Sequence, residues 1–330
     1  MTVFKAALAA TLATVAAVAV QVTSALAAYP DRPITLVVPF AAGGPTDVVA
    51  RIMGDHMSRT LGQQVVIENV TGAGGTTGAT RVKRAAPDGY TVLMGNLGSM
   101  SASVAMYGEK LQYDPRTDFE FILNTGGVPM YLVPKKDLPV KDFKEFVTYV
   151  KANAAKLNFG SGGVGATSHL TCLFLHSLLG VDVTHVPFKG SGPAMQAVLA
   201  GQVDYVCDQS TTVVPQIQGG ALRGFAIAAE KRSTLTPDVP TSAEVELPKF
   251  IVSGWNALFA PKGTPADIVT KINAAAVASL KDEAVKKKLN DIGVVIPDDA
   301  ALTPAALGAH VKSEVDKWSP VIKAAGVTGN

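Results

Sequence analysis

Twice along this chain a short run fit for a buried strand gives way to a glycine-rich turn and then to a helical pattern. Neither turn holds a nucleophile or a cation. The first unit is Ile34 to Val38 followed by Pro39-Phe40-Ala41-Ala42-Gly43-Gly44-Pro45-Thr46-Asp47. The second is Leu157-Asn158-Phe159 followed by Gly160-Ser161-Gly162-Gly163-Val164-Gly165-Ala166-Thr167-Ser168. Each turn is an anion cradle: glycine lets backbone approach a ligand, and the unpaired N–H groups of a helix start carry roughly half a unit of positive charge. Two cradles far apart in sequence predict a receptor that grips a small carboxylate from both sides.

Alternation of β-rich runs with helical patterns continues through the chain and predicts an α/β fold with mostly parallel sheets flanked by helices. Strands are expected at 34–38, 65–68, 91–94, 130–133, 157–159, 183–186, 203–207, 222–228 and 257–260. Helices are expected at 46–61, 76–84, 142–151, 168–179, 193–200, 265–279, 283–291 and 304–324. Thr46-Asp47, Ser168, Thr264-Pro265 and Thr303-Pro304 place caps or prolines where helix starts leave N–H groups without partners. A turn cluster at Tyr113-Asp114-Pro115-Arg116-Thr117-Asp118-Phe119 suits a crossing between lobes, and a second proline-rich stretch runs from Thr236 to Pro248. Lobe one is therefore expected from 28–126 and 251–330, and lobe two from 127–250. Two crossings make a hinge with a cleft between the lobes.

The first residues set the expected compartment. Lys5, an apolar run from Ala6 to Val20 too short to span a bilayer, and Ala25-Leu26-Ala27 read as a secretory signal over residues 1–27. No cysteine follows the cleavage point and no later run is long and apolar enough for a membrane helix, so a periplasmic chain that is not itself membrane-embedded is expected. Removing the signal takes one lysine and no acid, leaving 28 basic against 27 acidic residues, scattered and not clustered. That balance gives no field for nucleic acid. Cys172 and Cys207 are the only cysteines. Outside the cytoplasm they favour a disulfide, with two buried thiols as the plainer alternative.

Around the first cradle, Phe40 sits at a strand's carboxyl end, where open α/β sheets place ligands, while Asp47 reads more readily as a first-turn helix residue than as a ligand contact. Thr71-Gly72-Ala73-Gly74-Gly75-Thr76-Thr77-Gly78 formally matches a dinucleotide pattern, but a secreted protein has no ready nicotinamide supply. It reads better as a rim loop, with Asn96, Ser99 and Ser101 beside it. In lobe two Ser161, Thr167 and Ser168 are cap and ligand candidates, and Asp208 and Gln209 end a strand. Trp255 and Asn256 lie near the second crossing. His169 and His176 share a helix face, yet no third ligand falls at zinc spacing, so no metal and no other cofactor is expected. No G-x-S-x-G elbow and no acid and base pair is present in the sequence, which argues against an enzyme.

Tyr29-Pro30-Asp31-Arg32-Pro33-Ile34 running into the first cradle, then Ala86-Pro87-Asp88-Gly89-Tyr90-Thr91, Ser168-His169-Leu170, His185-Val186-Pro187-Phe188-Lys189-Gly190 and Ala200-Gly201-Gln202-Val203-Asp204, resemble the Bug-type substrate receptors of tripartite tricarboxylate transporters. The resemblance covers essentially the whole mature chain. It implies a two-lobed periplasmic binding protein of the Venus flytrap type that delivers an organic acid to membrane transporter subunits. It also implies that Phe40 and the backbone of Ala42, Gly43 and Gly44 hold one carboxylate with ordered waters. Gly162, Gly163, Val164, Gly165 and Thr167 would face the other end, and Asp208 would edge the cleft. The ligand set expected from residues and resemblance together is Phe40, Ala42, Gly43, Gly44, Thr46, Asp47, Gly74, Ser161, Gly162, Gly163, Val164, Gly165, Thr167, Ser168 and Asp208. Phe188 stands where relatives often carry Tyr, and Cys207 before Asp208 points to a subgroup with the disulfide.

The expectation is a monomeric receptor for a mono- or dicarboxylate. A secreted enzyme acting on a carboxylated substrate and a periplasmic sensor subunit are the rival readings.

Overall fold

The computed structural model describes residues 29–324 and 326–329, so the expected signal at 1–27 lies outside the described residues. From Arg32 onward the chain holds together as one unit. β1 (Ile34–Val38), a run of apolar and β-branched residues buried on both faces, lies between β2 (Val65–Asn69) and β3 (Thr91–Asn96), all parallel. β9 (Ser253–Pro261) runs antiparallel to β3, and the first part of β4 (Phe119–Pro134) runs antiparallel to β9. From Met130 onward β4 pairs instead with β7 (Tyr205–Gln209), beside which β5 (Asn158–Ser161) and β6 (Thr184–Pro187) lie parallel. The short β8 (Ala226–Ile227) also pairs with β4.

One long strand therefore belongs to two sheets, giving the order β2-β1-β3-β9-β4-β7-β5-β6. The turn at Tyr113–Phe119 is not itself the point at which the strand changes sheets. That cluster precedes β4 on the first sheet, and the chain passes over within an extended strand whose ladder bonds change partner at Pro129/Met130. We propose that the lobes part there and at the start of β9. Each sheet is parallel among its outer strands and antiparallel where the crossing strands join it. The expected strand over 222–228 forms a ladder only at Ala226–Ile227, because most of that run packs as loop.

Helices cover both sheets: α1 (Pro45–Leu61), α2 (Thr76–Lys83), α3 (Ser103–Tyr107), α4 (Phe143–Asn153), α5 (Thr167–Leu179), α6 (Ser191–Leu199), α7 (Ser210–Gln218), α8 (Ala266–Lys281), α9 (Glu283–Asp291) and α10 (Pro304–Ala324). Local chemistry explains the starts. Asp142 caps α4 by accepting from Glu145 N, and Asp282 caps α9 by accepting from Ala284 N and Val285 N. The main core runs from Val37, Leu93 and Phe259 in the first sheet to Phe146, Phe159 and Tyr205 in the second. A second cluster around Tyr131, Val206 and Val213 fills the other face of lobe two. Trp255 packs into the main core and donates to Glu314, which also accepts from Trp318.

A disulfide joins Cys172 in α5 to Cys207 in β7, with Cα atoms 5.3 Å apart and both residues fully buried. It fastens α5 to the strand that ends at Gln209.

Candidate functional site

Four helices begin at one place. The starts of α1 (Pro45, Thr46), α5 (Ala166, Thr167, Ser168) and α6 (Ser191), with Gln209 immediately before α7, line a single enclosed cavity together with Phe40 and Asn96. α1 comes from the first lobe and the other three from the second. The cavity measures about 10 Å³, the room of one water molecule, and no Lys, Arg, Asp or Glu lines it. Because the first N–H groups of a helix have no intrahelical acceptor, the wall is rich in donors and in partial positive charge.

The side chains that shape the first cradle are fully engaged. Asp47 accepts from Gly43 N (2.9 Å), from Arg51 Nε (2.8 Å) and from Asn69 Nδ2 (2.9 Å). Burial by itself would raise its carboxyl, but the hydrogen bonds from Arg51, Gly43 and Asn69 hold it below the usual carboxylate range. Asp47 thus shapes the turn and does not face the cavity, and Gly43, at φ 78°, spends its N–H on Asp47. Both correct the expected ligand set. Asn69 Nδ2 also donates to Phe40 O, which fixes the strand end where the Phe40 ring lies against Gly75.

The second cradle is organised in the same manner. Gly162 N donates to Ser168 Oγ (2.9 Å), Gly163 N to Ser161 Oγ (3.1 Å) and Gly165 N to His169 Nδ1 (3.1 Å). Ser161 Oγ is also 2.6 Å from His185 Nε2, whose ring stacks on His169 with centroids 4.0 Å apart. The amides of Gly162, Gly163 and Gly165 and the Ser161 hydroxyl are therefore internal struts, a second correction. What remains for a ligand is the start of α5. His176 Nε2 lies 2.7 Å from Tyr205 OH. Burial lowers His169 to about 3 and His176 and His185 to about 4, so all three are neutral and none stands ready to bind a proton at neutral pH.

Asp208 does not edge the cavity. Its carboxylate is wholly buried behind Gln209, accepting from Gln209 N (2.9 Å) and Thr212 Oγ1 (2.9 Å). Burial pushes its pKa up to about 6, against hydrogen bonds from Gln209 N and the Ser191 and Thr212 hydroxyls. It braces the starts of α6 and α7.

The two lobes meet through glycine. A Cβ on Gly98 would lie 2.6 Å from Gly165 O, one on Gly74 would lie 2.3 Å from Val164 O, and one on Gly192 would lie 2.9 Å from Ala42 O. Gly44 faces the amides of Ser191 and Gly192, and Ala41 N donates to Lys189 O at 3.0 Å. Ala42, Gly44, Gly74 and Val164 thus form the seam and not the cavity wall. The lobes are closed on each other along this seam.

Phe40, Thr46, Thr167 and Ser168 were expected and do line the cavity. Ser191 and Asn256 were not in the ligand set. Gly190-Ser191-Gly192-Pro193 is a third strand-to-helix glycine turn of the kind that opens the chain, but its proline at 193 disguises a helix that begins two residues earlier. Asn256 joins the site through Thr46, whose Oγ1 donates to Asn256 Oδ1 at 2.8 Å. Among the described residues, several buried side-chain atoms find no partner. Three of them cluster here: Thr167 Oγ1, Gln209 Oε1 and Asn256 Nδ2. Buried polar atoms without partners are costly; Thr167 and Gln209 line the cavity, and Asn256 lies behind Thr46, to which it is bonded.

A family model described as the tripartite tricarboxylate transporter family receptor matches residues 49–327. A UPF0065 protein from the ttuE-ttuC' intergenic region of Agrobacterium vitis is 43% identical over 305 residues, covering 92% of this chain and 88% of its own. The solved structure of MatC from Rhodopseudomonas palustris with bound malate is similar at 45% identity and a TM-score of 0.87, over 89% of this chain and 100% of that one. The periplasmic binding protein BugD is similar at 42% identity and a TM-score of 0.88, over 91% and 99%.

Proposed function

We propose, from the premise that the chain belongs to the tripartite tricarboxylate transporter receptor family, that it is a periplasmic receptor which closes on a small carboxylic acid and hands it to membrane subunits. The observation that carries this reading is the convergence of the starts of α1, α5, α6 and α7 on one cavity without a charged side chain. Aligned helix starts favour an anion at their shared focus. A cation would be opposed by the same dipoles, and a neutral ligand would gain only hydrogen bonds and none of the charge–dipole attraction. The acid held by the MatC relative is of the same class.

Closing supplies the coupling between capture and delivery. Lobe one offers Phe40, Thr46 and the start of α1, and lobe two offers Thr167, Ser168, Ser191 and Gln209. A ligand that touches both sets is bound better with the seam shut, and that difference in affinity is what shifts the population toward the closed form. Among the lining residues no acid, base and nucleophile stand together. The histidine nearest the cradle, His169, spends Nδ1 on Gly165 N. This favours a receptor over an enzyme.

Calorimetry on the purified protein tests the reading with L-malate against its neutral diamide. The acid is expected to bind and the diamide to fail, with malate recovered unchanged and its affinity only weakly dependent on salt. Equal binding of the diamide, or conversion of malate, would overturn it.

A further inference from the structure

The unpartnered atoms around the cavity are not all of one kind, and this constrains the ligand further than a carboxylate requirement does. Asn256 Nδ2, whose amide oxygen accepts from Thr46 Oγ1, is a pure donor, as any amide NH2 is. Thr167 Oγ1 can donate. Both, with the helix starts, suit carboxylate oxygens. Gln209 Oε1 is a pure acceptor, and a carboxylate can offer it nothing.

Gln209 is 3% exposed, and its position is built. Its backbone N–H is tied to Asp208 Oδ1, and its side-chain amide lies against Gly254, where a Cβ would sit 3.2 Å from Gln209 Cδ. The absence of a side chain at 254 is what leaves room for the amide along the cavity. A buried acceptor that must be satisfied rejects a ligand lacking the donor more strongly than an apolar wall rejects an extra group.

We infer that the acid captured here carries a hydrogen-bond donor of its own, a hydroxyl or an ammonium group, and that Gln209 is the residue that selects for it. This rests on the carboxylate-receptor reading above and refines it: plain aliphatic dicarboxylates are the disfavoured members of the class.

The experiment is calorimetry with L-malate, L-aspartate and succinate, which share a four-carbon dicarboxylate frame and differ by a hydroxyl, an ammonium or neither. At least one of the first two is expected to bind tenfold or more tightly than succinate, and which one does so separates hydroxyl from ammonium. In Gln209→Met, which keeps length and loses the acceptor, that ratio should fall to within about threefold while succinate affinity is unchanged. Gln209→Glu keeps acceptor oxygens and adds a negative charge, so it should weaken all three and retain the preference. Equal binding of the three acids to the natural protein overturns the inference and leaves the receptor reading standing, with no variant needed. A preference that survives in a folded Gln209→Met overturns the role of Gln209. If no carboxylic acid binds the folded protein, the receptor reading itself fails.

Discussion

Gly98→Ala isolates closure from folding. Gly98 has an ordinary backbone conformation in the helical turn that follows β3, so alanine introduces no strain within lobe one. Across the seam the new methyl would lie 2.6 Å from Gly165 O, 3.2 Å from Ala166 Cα and 3.3 Å from Thr167 N, whereas ordinary contact begins at 3.4 Å. The shortfall of 0.8 Å at Gly165 O falls on backbone, which cannot swing away as a side chain can. Overpacking of this kind costs about 1 to 3 kcal/mol, but only when the lobes are shut. The open form escapes it and lets the cost appear entirely in the open-to-closed equilibrium, lowering ligand affinity by about 5- to 150-fold. Calorimetry with L-malate reads the affinity, thermal unfolding of the ligand-free protein reads the fold, and small-angle scattering reads compaction. Expected are weakened binding, a melting temperature near that of the natural protein, and less compaction at saturating ligand. Full affinity with full compaction would mean that the seam between residues 98 and 165–167 is not what the ligand closes.

Asp47→Ala releases Gly43 N, Arg51 and Asn69 together, so it should cost on the order of 1 to 3 kcal/mol of stability and at least tenfold in malate affinity; a binding curve that stays unchanged would show that the turn keeps its shape without the carboxylate. The buried histidines and Asp208 act on stability with opposite signs. His169, His176 and His185 titrate lower in the folded chain than in the unfolded one, so stability is lost as pH falls from about 6.5 towards about 4. Asp208 titrates higher when folded, so its contribution is present at low pH and is lost as pH rises through about 6. Three groups outweigh one, and chemical denaturation should show stability falling by on the order of 2 kcal/mol per pH unit near pH 5; a flat profile there would place the imidazoles in contact with solvent. Reducing the disulfide, whose cysteines are 35 residues apart, should cost about 3 to 4 kcal/mol on loop-closure grounds and loosen the wall between α5 and Gln209. Matched melts with and without reductant under denaturing exchange, beside malate titrations of each form, measure both.

The legible part of this molecule was the part written in short-range chemistry. Glycine turns after apolar runs at 39–44 and 160–165 announced two of the converging helix starts, because the need for positive φ and close approach falls on the glycines themselves. What the glycines do was less legible. The amides of Gly43, Gly162, Gly163 and Gly165 serve their own loops, since the Asp47, Ser168, Ser161 and His169 side chains reach back to them. Such bonds depend on side-chain direction that spacing alone leaves open. Ser191 was hidden by Pro193, which reads as the first helical residue yet sits two positions inside α6. The passage between lobes, expected near 127, has no turn of its own to announce it. Turn residues at 113–119 look like a boundary, while β4 runs on from one sheet into the other as a single strand, bulged between Phe121 and Leu123 and between Asn124 and Gly126.

Binding an anion with no cation sets a limit that the architecture answers. A helix start is worth about 0.3 to 1 kcal/mol to a nearby charge, and up to about 2 when partly buried. Four of them supply about 1 to 8 kcal/mol, and micromolar capture needs about 8. Dipoles alone therefore reach useful affinity only at their upper limit, in a site that excludes water. The glycine seam provides that exclusion, since Gly74, Gly98 and Gly192 let one lobe's backbone seat against the other's. The contribution of the helix starts and the closeness of the seam are thus one property and not two. A methyl on the seam should weaken binding even though it touches no ligand atom, whereas an arginine placed at Asn96 should add charge without recovering what an open seam loses.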